Sequence, residues 1–229
     1  MANDPTPPIQ TGTISSPKMI VAMGSVGLIA SILLVVTYQI TAPHIARNRA
    51  EYLERAIFEV LPAATQKTTF ARTEDDGFVA LEEPGETTFN VYAGYDEQGT
   101  LVGVAIEAQG QGYQDVIRII YGYAPECACV VGMKVLESKE TPGLGDKIEK
   151  DPAFRANFDA LDVQLASDRN RLLHDVELVK KGSKTEAWHV EAITGATISS
   201  RAIARIIQQS ASEIIPVIDR NLTIFREGL

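Results

Sequence analysis

Two segments carry residue types and spacings that could do chemistry. In Thr194-Gly195-Ala196-Thr197-Ile198-Ser199-Ser200-Arg201, hydroxyl side chains crowd a predicted helix start, where the first backbone N–H groups lack partners. One of them is expected to cap the helix. The small Gly195 and Ala196 also leave room around the Thr197 hydroxyl, and a helix N-terminus favours an anion such as a phosphate. The second segment, Glu140-Thr141-Pro142-Gly143-Leu144-Gly145-Asp146, directly follows a predicted strand. Its two glycines flank Leu144 and permit positive φ and close backbone approach to a ligand, while Pro142 stiffens the loop. On the residues alone it is equally an ordinary loop with a helix start at Asp146.

These segments need elements to hold them. Ile203, Ile206, Ile207, Ser210, Ile214, Val217 and Ile218 recur at i, i+3, i+4 spacing, which predicts an amphipathic helix from Ser199 to about Phe225, kinked or split by Pro216. Ahead of it, the segment Thr87–Tyr95, a turn at Asp96-Glu97-Gln98-Gly99 and Leu101–Ala108 predict a hairpin. Further strands are expected at Val116–Tyr123, Ala128–Leu136, Leu172–Val179 and Ala187–Ala192. Strands joined by turns rather than crossover helices point to an α+β fold with an antiparallel sheet and packed helices.

The N-terminal part has a different character. Residues 1–18, with Pro5, Pro7, Pro8 and Pro17 among Ser and Thr, are expected to form a mobile tail. Met19–Ile40 has no charged side chain, and at about 1.5 Å per residue it makes a helix of roughly 33 Å, enough for a hydrocarbon core about 30 Å thick. A single transmembrane helix over 19–40 follows, surrounded by membrane lipid, then a juxtamembrane helix over 41–62 and a folded domain over 68–229. Lys18 alone precedes the span, whereas Arg47, Arg49 and Arg55 follow it, a bias that by itself places the domain in the cytoplasm. Glu51, Glu54 and Glu59 lie among those arginines and weaken the bias.

Composition narrows the partners and cofactors. A formal charge of −9 and the lack of a basic tract argue against nucleic acid. Two cysteines, Cys127 and Cys129, exclude a disulfide scaffold and an all-cysteine zinc or iron–sulfur site. Placed on a strand, they are expected to be buried free thiols. His44, His174 and His189 are scattered, so no metal site is assigned, and Trp188 is read as a packing residue with stacking on a planar ligand as the other option.

TGATISSR resembles the [S/T]-G-A-T flavinylation signature of the FMN-binding domain family, found in Rnf and Na⁺-translocating NADH:quinone reductase complexes. Glu140–Gly145 is similar to a second family signature, a loop beside the flavin, and Gly110-Gln111-Gly112-Tyr113 to the segment preceding it. The resemblance implies FMN joined by a flavin transferase through its phosphate to the Thr197 hydroxyl. It further implies that Thr194, Gly195, Ala196, Ser199, Ser200, Glu140, Thr141, Gly143, Leu144, Gly145 and Tyr113 line the cofactor. The family usually has Asp six positions before the modified threonine, and this chain has Glu191 there.

Within that family the chain is similar to the G subunits of Rnf complexes, ion-translocating ferredoxin:NAD⁺ oxidoreductases. The C subunits of the quinone reductase are the near alternative. The resemblance implies a redox subunit without independent turnover, other Rnf-type subunits as partners, a bacterial inner-membrane location, and a domain facing the periplasm or cell exterior, against the arginine count. A tethered domain that has lost its flavin and serves only as a scaffold is the alternative from another class.

Overall fold

The computed structural model describes residues 16–81 and 89–227. Residues 1–15 of the expected tail, and Thr87 and Thr88 of the expected hairpin, lie outside them. The chain divides into two units, with the boundary between Ala50 and Glu51.

Helix α1 (Ser16–Val60) supplies the apolar run, whose side chains are exposed from Met19 to Ile40. Among the described residues it is the one helix long and apolar enough to cross a membrane. A span and a separate juxtamembrane helix were expected, but Pro43 lies inside α1 without ending it. The proline ring removes one backbone hydrogen bond locally, and the good helix formers on either side resume the ladder.

The second unit is built on a seven-stranded antiparallel sheet. Its strands are β1 (Gln66–Arg72), β2 (Phe78–Leu81), β3 (Asn90–Tyr95), β4 (Leu101–Gln111), β5 (Val116–Ala124), β6 (Cys129–Glu137) and β7 (Leu161–Asp162). They are ordered β2-β1-β3-β4-β5-β6-β7. The predicted hairpin is β3–β4, with Val91 opposite Ile106 and Ala93 opposite Val104, and the next two predicted strands are β5 and β6. Short helices α2 (Lys147–Lys150) and α3 (Pro152–Arg155) follow. A small parallel pair, β8 (Glu177–Val179) and β9 (His189–Glu191), replaces the longer strands expected at Leu172–Val179 and Ala187–Ala192. Leu172 makes only an isolated bridge to Leu165. Helix α4 (Thr197–Arg220) runs through Pro216 unsplit, and α5 (Leu222–Arg226) closes the described chain.

Both faces of the sheet are covered, because successive side chains point to opposite sides. Val91, Ala93, Tyr95, Val104 and Ile106 pack with Ile203, Ile207, Ile214 and Ile218 of α4 in the main core. Tyr92, Ala105 and Ile120 face Ile57 and Val60 at the end of α1 and Leu61 and Ala64 just beyond it. Glycines on four adjacent strands form a furrow there. A Cβ on Gly94 would lie 2.9 Å from Leu61 Cδ1, and one on Gly122 would lie 2.3 Å from the Val60 carbonyl oxygen. A Cβ on Gly103 would lie 2.8 Å from Leu61 Cδ2, and one on Gly132 would lie 3.0 Å from the Val60 carbonyl oxygen.

Cys127 and Cys129 are bridged by a disulfide rather than left as buried free thiols. Strand β6 begins only at Cys129, and Ala128 takes a left-handed conformation with φ 50°. The two Cα atoms are therefore 5.2 Å apart, short of the roughly 6.6 Å of an extended pair at this separation, and the thiols meet.

Candidate flavin-attachment site

Glu140 joins the chain segments that the sequence singles out. It follows β6 and is buried, with 6% of its surface exposed. Oε1 accepts hydrogen bonds from the backbone N–H of Tyr113 at 2.7 Å and of Gln114 at 3.1 Å, in the turn between β4 and β5. Oε2 accepts from the Ser199 hydroxyl, itself buried, at 2.5 Å. One carboxylate thus ties the β4–β5 turn, its own loop and the first turn of α4. The bonds are charge-assisted and sheltered from water, which makes them stronger than their exposed equivalents. Two glycines make room for it: a Cβ on Gly112 would lie 2.6 Å from Glu140 Oε1, and one on Gly145 would lie 2.5 Å from Oε2 and 2.9 Å from Ser199 Oγ.

At the helix start, the expected hydroxyl cap is absent. Ala196 occupies the N-cap position and makes no side-chain cap hydrogen bond. The serines are used elsewhere. Ser200 Oγ, fully buried, accepts from Ile193 N–H and donates to the Ala196 carbonyl, so it fastens the turn leading into the helix. Ser199 is turned inward to Glu140. Gly195 adopts φ +85°, a conformation that suits glycine, and no atom lies within 4 Å of where its Cβ would be. Thr197, the first helical residue, is left exposed.

Each of the three segments also exposes a large apolar side chain. Tyr113 is 62% exposed, Leu144 53% and Ile198 53%. Gly143 has φ +78° and open space where a Cβ would be, so the loop offers bare backbone beside Leu144. Of the residues expected to line a cofactor, Thr194, Gly195, Thr197, Gly143, Leu144 and Tyr113 are exposed, and Thr141 is half-buried. Ala196, Gly145, Glu140, Ser199 and Ser200 are buried and hold the loops. Gln114 completes the arrangement through its backbone N–H, a donor that leaves no mark in a sequence.

Two other residues that the sequence raised have named neighbours. Trp188 stacks on His174, ring centroids 3.7 Å apart. Glu191 Oε1 accepts from Gly182 N–H at 3.1 Å and Lys184 N–H at 3.2 Å, fastening the turn between β8 and β9.

Residues 112–212 match the FMN-binding domain model, a range that begins at the β4–β5 turn and includes the Glu140 loop and the start of α4. A relative from Methanosarcina acetivorans, named as the G subunit of an ion-translocating oxidoreductase complex, is 30% identical over 86% of this chain and 93% of its own length. The chain belongs to the family of ion-translocating oxidoreductase complex G subunits. Other members include the G subunit from Escherichia coli K12, 29% identical over 82% of this chain and 84% of its own. Another, from Clostridium ljungdahlii, is named as the G subunit of a proton-translocating ferredoxin:NAD⁺ oxidoreductase complex and is 23% identical over 81% of this chain and 84% of its own. Among solved structures, the C subunit of the Na⁺-translocating NADH-quinone reductase from Parabacteroides distasonis shares the fold, with a TM-score of 0.57 at 17% identity over 75% of this chain and 94% of that one.

Proposed function

We propose that this chain is the flavin-carrying electron-transfer subunit of an ion-translocating ferredoxin:NAD⁺ oxidoreductase complex, holding FMN as a phosphoester on Thr197. The observation that carries this reading is the exposed Thr197 at the first position of a 24-residue helix, with its neighbouring serines turned inward to other partners. It is the hydroxyl of that turn left open to solvent.

The residues present fit the group. Gly195 and Gly143 leave open space, the helix N-terminus favours a phosphate, and Tyr113, Leu144 and Ile198 offer apolar surface to a planar ring. When bound, the isoalloxazine supplies acceptance and release of electrons, and the protein supplies position and electrostatic environment. Thr197 holds the phosphate end, while Leu144 and Ile198 shield ring surface from water. No proton-transfer residue is required of this chain for electron transfer itself.

One flavin does not span a membrane, so donor and acceptor belong to other subunits of the complex, and the isolated chain has no turnover of its own. Helix α1 anchors the protein in a lipid bilayer. The domain lies on the periplasmic or outer side of a bacterial inner membrane, where the Cys127–Cys129 disulfide suits an oxidising compartment. A cofactor exposed on that side benefits from a covalent tether installed by a flavin transferase.

The test is flavin fluorescence of the purified protein on a denaturing gel, with the modified peptide located by mass spectrometry. Flavin on the peptide containing Thr197 is the expected result. A colourless protein from cells that flavinylate other substrates would leave the scaffold reading in its place.

A further inference from the structure

We infer that Glu140 is a positioning residue for the modification of Thr197, acting through Ser199 and the β4–β5 turn, rather than a residue that touches the flavin. The inference rests on Thr197 being the attachment site. Glu140 is buried and both its carboxylate oxygens are engaged, by two backbone N–H groups and the Ser199 hydroxyl. Ser199 lies two positions beyond Thr197, so its side chain points away from that of Thr197 around the helix. Pinning Ser199 inward therefore fixes the rotation of the first turn that directs Thr197 outward. The capping bond that ordinarily sets a helix start is missing at Ala196, and the Glu140 tie stands in for it. Gly145 and Gly112 cannot carry a Cβ without striking this carboxylate, so the surrounding loops are shaped to it.

The chemistry that needs this precision is phosphoryl transfer. Direct esterification by FMN itself would have to expel water from a monophosphate, a poor leaving group. The donor is therefore a flavin phosphoanhydride, of the flavin dinucleotide class. The Thr197 oxygen forms the new P–O bond, the anhydride P–O bond breaks, the nucleoside monophosphate leaves with the electron pair, and the hydroxyl proton passes to a base of the transferase. No electrons are exchanged with an oxidant or reductant. In-line attack demands an oxygen held in one orientation, and small misplacements at such a step are expensive in rate.

The experiment compares full-length wild type with Glu140→Ala, Glu140→Gln and Ser199→Ala, each incubated with a flavin transferase and flavin adenine dinucleotide. In-gel fluorescence against time and donor concentration reads the rate. Glu140→Ala and Ser199→Ala should lower kcat on the order of ten- to a hundred-fold with little change in KM for the dinucleotide. Glu140→Gln keeps an acceptor for the two N–H groups and can donate to Ser199 Oγ, so it should recover to within about threefold of wild type. If Glu140→Ala fails to fold, Ser199→Ala decides the matter, since it removes one oxygen from a buried site. Wild-type rates in Ser199→Ala, or in a folded Glu140→Ala, would overturn the inference, as would a Glu140→Gln rate as low as that of a folded Glu140→Ala. Absence of covalent flavin from the wild type, or its persistence in Thr197→Ala, would instead overturn the attachment site.

Discussion

The Ser199 hydroxyl donates to Glu140 Oε2 at 2.5 Å across 59 positions of sequence, with both side chains buried. This contact joins the loop after β6 to the start of α4. It divides the expected cofactor-lining residues into an inner set that holds the loops and an outer set that a ligand can reach. Thr197 belongs to the outer set, and the predictions below follow from that division.

Thr197→Ala should abolish denaturation-resistant flavin fluorescence while leaving the fold intact. Since Thr197 is exposed and is not the N-cap residue, its replacement should cost a few tenths of a kcal/mol, below the roughly 1 kcal/mol of a lost cap. Thr197→Ser separates the hydroxyl from the methyl. Thermal melts and in-gel fluorescence of the three proteins, side by side, check both statements.

The two glycines flanking Leu144 should respond differently. Gly145→Ala places a Cβ 2.5 Å from Glu140 Oε2 and should reduce stability by about 1–3 kcal/mol while slowing flavin attachment. Gly143→Ala has open space, and its cost should be about 1 kcal/mol from the left-handed backbone alone. Denaturant midpoints and flavin yield measure the contrast, and similar losses in both would refute it.

Glu59 provides a pH test remote from the site. It pairs with Lys134 at 2.8 Å and Arg155 at 2.6 Å. Burial pushes its carboxyl up, but hydrogen bonds and charge from Lys134 and Arg155 outweigh this and hold it below the ordinary value of 4.5. A lowered carboxyl stabilises the fold above that ordinary value, and the contribution disappears as the pH falls through the lowered one. Glu59→Gln should therefore melt slightly below wild type at neutral pH, by well under 1 kcal/mol because the pair is partly exposed, and the gap should close in acid. A gap that widens as the pH falls would contradict the sign.

Orientation can be read by a reporter fused after Leu229. An export-dependent enzyme should be active there and a cytoplasm-dependent one silent. The reverse pattern would vindicate the three arginines that follow the span.

Much of this architecture is legible in the sequence, for physical reasons that also explain what is not. The isoleucines of α4 repeat with the period of a helix, and β3 to β6 carry β-branched runs bounded by turn residues, so local pattern suffices. The edge strands β2 and β7, four and two residues long, owe their existence to a neighbour's open edge and escape such a reading. Leu172–Val179 has the composition of a strand, yet only its last three residues join a ladder, while Leu172 makes an isolated bridge to Leu165. At the site, Thr197 stands out because a small-residue pair precedes it. The inward role of Ser199 could not be anticipated, since it depends on a carboxylate 59 positions away. The cysteine bridge escaped for a similar reason: it depends on Ala128 leaving the extended conformation.

The glycine furrow sets an order of events during synthesis. Ile57, Val60 and Leu61 leave the ribosome before any of the strands that cover them, and the last furrow glycine, Gly132, follows roughly seventy residues later. At about 5–20 residues per second, that cluster waits several seconds without its partner surface. Non-local pairing of this kind is slow to form even in a complete chain. The end of α1 therefore has no sheet to dock on for that interval, and its apolar face stays uncovered by its native partners until β3 to β6 have followed.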